Sequence, residues 1–345
     1  MMSLIYTSAL ECINKHVGST QSPLKALVHK NAILDEIIDR ISKYIYEGPY
    51  EYNVSFIIPK FPAPSSSITI SSGIALDRIA ITGKIPLSAG LSCNLNAAFD
   101  ASQEIYSPCI RIACKGYSGS NQNSPLIVRA LSTLKHLLML GHITGLLDIK
   151  YSPDLEFFEG RSNAGSYYVS GKFANNVQQR IPTIFHAAMS SIHPTERAKK
   201  IFLDLLSGFN DDTKEIAIIK NCIESRRESF ERIKSSTEWL FESIFTESTT
   251  PSYVMLCLAI EAMIGGTERN KSDTLSSRLA YCIGKTFEER NEIIKQFSTF
   301  YSKRSKIVHG SETMLTSEDK DLAICMRSFL EHMINADLNA SFVLQ

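Results

Sequence analysis

The chain has 345 residues, with 36 basic and 36 acidic side chains and a formal net charge of +0. That length allows two domains, or one large one, with a buried core. The balanced charge excludes a globally basic nucleic-acid binder, so any such contact must come from a local patch.

Residues up to about Tyr46 read as helical, with Leu34, Ile37, Ile38, Ile41 and Ile45 on one face. The first eighteen residues show no basic stretch followed by a clean apolar run, so no signal peptide is expected. The character then changes. Residues 54–58, 67–70, 74–82 and 109–114 are short, β-branched and bounded by Pro, Gly or Ser, and read as strands. The prolines of 59–64 make a stiff connector that cannot continue a ladder. After a polar loop at 118–123, Ser124-Pro125 is a helix start, an N-cap followed by Pro at the first position. The helix that follows should bury Leu126, Ala130, Leu134, Leu137 and Leu138. It is the most apolar stretch of the chain, but Arg129, Lys135, His136 and His142 interrupt it, which favours a buried helix over a membrane span.

Strand character returns at 156–158 and 166–173. From Thr195 the pattern is helical, over 195–206, 212–233, 237–244, 251–264, 273–283, 287–308 and 317–336. The last segment has Thr316 as N-cap, acids in its first turn, and Leu322, Met326, Phe329, Leu330 and Met333 facing inward. The expected fold class is therefore an α+β N-terminal domain followed by an all-α helical bundle. The division is placed at 1–210 and 211–345, within a boundary zone from Gly208 to Thr237.

The eight cysteines are scattered, with no Cys-x-x-Cys pair and no paired His-Cys spacing, so a structural zinc site is not expected. A reducing, cytoplasmic compartment follows from that usage. Cys257 and Cys282 fall in helical apolar patterns and read as small hydrophobes. Gly284-Lys285-Thr286 resembles the end of a phosphate-binding loop, but Leu279 stands where the first Gly is needed. The stretch 160–165 lacks the dinucleotide fingerprint. His136 and His142 are six apart, which does not put both on one helix face.

One constellation remains, Arg304-Ser305-Lys306-Ile307-Val308-His309-Gly310. The helix over 287–308 carries an apolar stripe of Ile293, Phe297, Phe300, Tyr301 and Val308, and Arg304 lies in that stripe. A guanidinium there breaks local patterning, as functional residues do. His309 follows on the flank, at a helix end whose dipole favours imidazolium, and Gly310 is the stop. Upstream, Glu261 shares a helix face with Val254, Cys257 and Leu258, so its carboxylate needs a partner, either Arg278 or Arg304.

In order, the helix around Trp239, the helix 256–263 with Glu261, the helix 275–280 with Arg278, and the 300–310 string ending in Arg304 and His309 resemble an Apea-like HEPN domain. The resemblance covers about Phe230 to Asp337. It implies a compact helical bundle that dimerises, bringing two copies of the Arg and His into one cleft, and a metal-independent endoribonuclease that needs no cofactor. Carried over, Arg304 neutralises the scissile phosphate, and His309 is general acid or base. The RNA's own 2′-hydroxyl attacks and leaves a 2′,3′-cyclic phosphate, which restricts the substrate to RNA. Lys303, Ser305 and Lys306 would be RNA-binding, and Glu261 and Arg278 a supporting ion pair. Ser305 departs from the pattern of many catalytic members, which place Asn, Asp or His after the Arg; a hydroxyl hydrogen-bonds but adds no base. The family's association with anti-phage defence and abortive infection implies a toxin-like role here. The N-terminal domain would then meet a trigger or antitoxin, with no membrane involved.

The same residues have structural readings. Arg304 can serve as the internal partner of Glu261, His309 as a helix end bonding the last carbonyls, and Lys303 and Lys306 as solvated surface residues. A second functional class, a non-catalytic HEPN module that binds RNA, a nucleotide or a protein partner, fits Ser305 and the neutral charge.

Overall fold

The computed structural model describes residues 30–58, 60–61, 64, 67–81, 105–117, 124–150, 166–171, 174–206, 213–265 and 271–343. In chain order they form α1 (Lys30–Glu47), β1 (Tyr50–Ile57), β2 (Ile68–Ser71), β3 (Ile74–Ile81), β4 (Ile105–Gly116), α2 (Pro125–Ile143), β5 (Leu147–Ile149), β6 (Ser166–Gly171), β7 (Ala174–Arg180), α3 (Thr183–Ser191), β8 (Ile192–Pro194) and α4 (Glu196–Leu206). There follow α5 (Lys214–Glu224), α6 (Glu228–Phe245), α7 (Thr249–Ile264), α8 (Lys271–Ile283), α9 (Phe287–Val308) and α10 (Ser317–Val343). The strand expected at 156–158, the 160–165 stretch, the loop at 118–123 and the N-terminal eighteen residues lie outside the described residues, as do Cys12 and Cys93.

The chain divides into two compact units, each built from separated stretches: Met1–Phe56, Arg111–Leu131 and Ser166–Ile181 in the first, and Ile57–Ile110, Ser132–Gly165 and Pro182–Gln345 in the second. In the first unit, β1 pairs antiparallel with β6, setting Val54 opposite Val169 and Phe56 opposite Tyr167. The Phe56 and Tyr167 rings lie 5.7 Å apart, both fully buried. β6 pairs antiparallel with β7, so the strand expected over 166–173, described over Ser166–Gly171, is one arm of a pair. Its second arm, Ala-Asn-Asn-Val-Gln-Gln-Arg, is polar and held by backbone pairing, which leaves no hydrophobic alternation to read. The face expected on α1 is only partly covered among the described residues: Leu34 and Ile38 are exposed, and Ile37 and Ile41 are half-buried.

The second unit carries the β2–β3 hairpin, whose tight turn uses Gly73 at φ 81°, and a two-stranded β5–β8 ribbon. At the start of α2, Ser124 accepts from the Ile127 amide at 3.4 Å, and Pro125 occupies the first helical position. All five residues expected in the core from this helix are buried. Among the described residues it is the one helix long and apolar enough to cross a membrane, and 61% of that window is buried inside the protein.

Among the described residues the C-terminal region is built of helices, as its periodicity predicts. α6 packs along α7, with the buried Ser236 hydroxyl donating to the Ala259 carbonyl at 2.8 Å. α8 packs on α9. The Tyr253 ring of α7 packs tilted against Phe300 of α9, with centroids 4.4 Å apart, and its hydroxyl donates to the Phe300 carbonyl at 3.1 Å. One boundary differs from expectation. The helix expected over 212–233 is two helices, and α6 runs unbroken through the second expected segment. Ser225 is extended, accepts from the Arg227 amide through its side chain at 3.2 Å, and gives its carbonyl to Lys234 at 2.8 Å. A serine that bonds its own neighbours in this way competes with helical pairing and ends α5.

Candidate functional site

α9 begins and ends on identifiable chemistry. Thr286 caps it, accepting from the Glu289 amide at 3.1 Å, while the Glu289 carboxylate accepts from the Thr286 amide at 3.2 Å. This reciprocal capping box was readable as Thr-x-x-Glu. At the other end His309 is the C-cap and Gly310 follows at φ +73°. The Gly310 amide donates to Ile307 at 3.0 Å and the Ser311 amide to Lys306 at 2.9 Å, the paired bonds of a Schellman stop.

Along the inward face, Ile293, Phe297 and Phe300 are buried, Tyr301 and Arg304 half-buried, and Val308 exposed, so the apolar stripe fades at the arginine. Arg304 reaches Glu261 of α7 at 3.6 Å, with side-chain exposures of 24% and 18%. That is an ion-pair distance, too long for a hydrogen bond. The Arg304 Nε and the Glu261 Oε1 are both buried without a hydrogen-bond partner. The guanidinium lies 5.6 Å from the Tyr301 ring, which stacks on Phe297 at 5.7 Å. Burial, then the neighbouring Glu261 charge and its hydrogen bond, push the Tyr301 hydroxyl above its ordinary pKa. Cys257, one turn before Glu261, is held well above the usual thiol range by burial, with Arg304 opposing and Glu261 adding to the shift.

Of the two arginines that could serve Glu261, it is Arg304 that does. Arg278 instead donates to the Ile264 carbonyl at 3.1 Å, at the C-terminus of α7, so the ion pair expected between Glu261 and Arg278 is replaced. The physical reason is position: Ile264 lies at the end of α7, where carbonyls lack helical partners and attract a cation. Cys282 also departs from expectation, being exposed, whereas Cys257 is buried as expected.

The lysines beside Arg304 are engaged. Lys303 ion-pairs with Glu312, and with Asp319 at 2.9 Å. Lys306 pairs with Glu312 at 2.9 Å. Asp319 is the N3 residue of α10 and accepts from the Thr316 amide and hydroxyl at 2.8 and 2.9 Å. Hydrogen bonds from Lys303 and Lys306 hold Glu312 below the usual carboxylate range. For Asp319, burial acts upward, but the bonds from Lys303 and Thr316 outweigh it and the net shift is downward. The carboxylates in turn raise Lys303. Together these contacts strap the turn after His309 to α9 and to the start of α10. Neither Glu312 nor Asp319 stands out in the sequence as a partner for these lysines, although Thr316-x-x-Asp319 carries a readable cap signal.

His309 is exposed, and among the described residues its ring has no hydrogen-bond or ion-pair partner. It lies five positions after Arg304, a rise of about 7.5 Å along a helix, and a turn of more than a third of a circle. Within one chain, no hydrogen bond, ion pair or ring contact links the two. Ser305 is half-buried between them in the chain, and its carbonyl accepts the His309 amide at 3.0 Å. Among the described residues no group of three His, Cys, Asp or Glu is placed to hold a metal ion. No family model matches the sequence, and no curated protein or solved structure is significantly similar to it.

Proposed function

We propose that this protein is a metal-independent endoribonuclease of the HEPN type, acting through Arg304 and His309, with a toxin-like role in anti-phage defence. The observation that carries the reading is the state of the two side chains at the end of α9. Arg304 is held part-buried by Glu261, yet its Nε has no bonding partner. His309, in the last turn, offers an unbonded ring to solvent. An under-bonded, part-buried cation calls for an explanation, and a ligand oxygen on its exposed side is one. Arg304 would neutralise a phosphate oxygen and the charge that builds there. One His309 would take the proton from the 2′-hydroxyl as that oxygen attacks phosphorus, and the other would protonate the departing 5′-oxygen. The products are a 2′,3′-cyclic phosphate and a 5′-hydroxyl. Because Arg304 and His309 leave α9 on different faces, a second copy of the chain would complete the cleft. Wild type, Arg304→Ala and His309→Ala incubated with total RNA and EDTA test the assignment: cleavage by wild type and loss in both variants is expected, and undiminished cleavage by both would overturn it.

A second reading has its own support. Lys303 and Lys306 are tied to Glu312 and Asp319, which leaves less free positive charge to grip a phosphate backbone. In that reading the bundle is a non-catalytic HEPN module binding RNA, a nucleotide or a protein partner. Overexpression would then be harmless, His309→Ala would change nothing, and the bound partner would still co-purify.

A further inference from the structure

A cavity of about 140 Å³ lies within the second unit, lined by Ile58, Leu76, Ile110 and Leu137 among others, with Thr69 the one polar side chain among the described lining residues. Cores seldom leave voids much larger than a water molecule, because close packing stabilises them. Water gains little in a space with one hydroxyl to bond, whereas an engineered apolar cavity of about 150 Å³ takes up benzene. The space suits a single ring or a chain of about six carbons by that comparison.

What adjoins the cavity is cationic. Ile58, Phe61 and Leu138 line both the cavity and a small neighbouring recess, and the recess is also lined by Lys60. The exposed Lys60 ammonium donates to the Ser190 carbonyl and contacts the His193 Nε2 at 2.7 Å. An ammonium has three protons, so one remains. Lys150 and Lys199 are close enough to act on this group electrostatically: after burial, Lys150 depresses Lys60, and after burial Lys60, Lys150 and Lys199 all depress His193. Asp148, opposite His193 in the β5–β8 ribbon, acts on that imidazole in the other direction. Lys199 is itself paired with Glu196 at 2.6 Å, so Lys60 and Lys150 against Asp148 leave the edge of an apolar cavity with a net positive charge.

We propose that this cavity binds a short-chain carboxylate, its alkyl tail between Ile58, Leu76 and Leu137 and its head group taking the third proton of Lys60 beside Lys150. The site is separate from Arg304 and His309, and nothing in it depends on ribonuclease activity. The probes are hexanoate and hexanol, titrated separately into the full chain while the methyl resonances of Ile58, Leu76 and Leu137 are followed. Saturable shifts with hexanoate binding at least about tenfold more tightly than hexanol are expected. Lys60→Met should erase that preference by weakening hexanoate while hexanol binds as before. Failure of hexanoate to shift these methyls, equal affinities in the wild type, or an intact preference in Lys60→Met would each overturn the proposal. If Lys60→Met loses hexanol as well, salt dependence of the wild type decides: hexanoate binding that weakens with salt, beside hexanol binding that does not, supports the site, and hexanoate binding indifferent to salt refutes it.

Discussion

The Glu261–Arg304 pair joins α7 to α9, and its strength follows from geometry. At 3.6 Å, an effective dielectric near 20 puts the raw attraction at roughly 4–5 kcal/mol. Both side chains keep part of their surface in water, 24% and 18%, and neither the Arg304 Nε nor the Glu261 Oε1 finds a hydrogen bond. Desolvation therefore takes back most of the attraction, and a net coupling of about 1 kcal/mol remains. Glu261→Gln, Arg304→Met and the double variant, unfolded in urea beside the wild type, give that coupling as a double-mutant cycle. Each single variant should be destabilised, and the double should cost less than their sum by about 1 kcal/mol. Strict additivity would refute the pair. In RNA cleavage, the same Glu261→Gln should lower kcat by about tenfold or more if Glu261 positions the phosphate-binding guanidinium.

Other predictions concern the frame around the site. Phe300→Ala removes a fully buried ring packed on Tyr253 and should cost about 3–5 kcal/mol, read from the denaturation midpoint. Gly310→Ala meets no neighbouring atom within 4 Å but must hold φ +73°, so a loss of about 1 kcal/mol is expected, and a neutral variant would contradict the Schellman stop. Burial holds His136 neutral, with its pKa lowered to about 4, while its ring contacts Thr237 and Ser132. The unfolded chain, titrating near 6.5, then binds more protons between these values, so this group's contribution is present above about pH 6.5 and is lost as pH falls toward 4, by up to about 1.4 kcal/mol per unit. His136→Gln should flatten that slope in urea titrations run from pH 7 to 4.5, and an identical slope in both proteins would refute the assignment.

How legible these features were depended on whether the signal was local. The bounds of α9 follow from Phe287–Val308 periodicity and from Gly310, and both ends hold in three dimensions for the capping and Schellman reasons given. The strands were visible where β-branched residues alternate, and invisible where backbone pairing alone makes them, as in β7 and the three-residue β5 and β8. The site was legible as a list of residues and not as a set of contacts. That Glu261 needs a partner follows from its helix face; that the partner is Arg304 depends on how α7 and α9 cross. The engagement of Lys303 by two carboxylates depends on a turn whose path only the folded chain defines.

The central claim is tested most directly on a short RNA with one cut site, compared with the same oligonucleotide carrying 2′-deoxyribose at the nucleotide before the scissile bond, both in EDTA. Cleavage of the RNA to a 2′,3′-cyclic phosphate and a 5′-hydroxyl by the wild type is expected, with none by Arg304→Ala or His309→Ala, and an uncut deoxy analogue. Cleavage of the deoxy analogue, or a product bearing a 5′-phosphate, would contradict it.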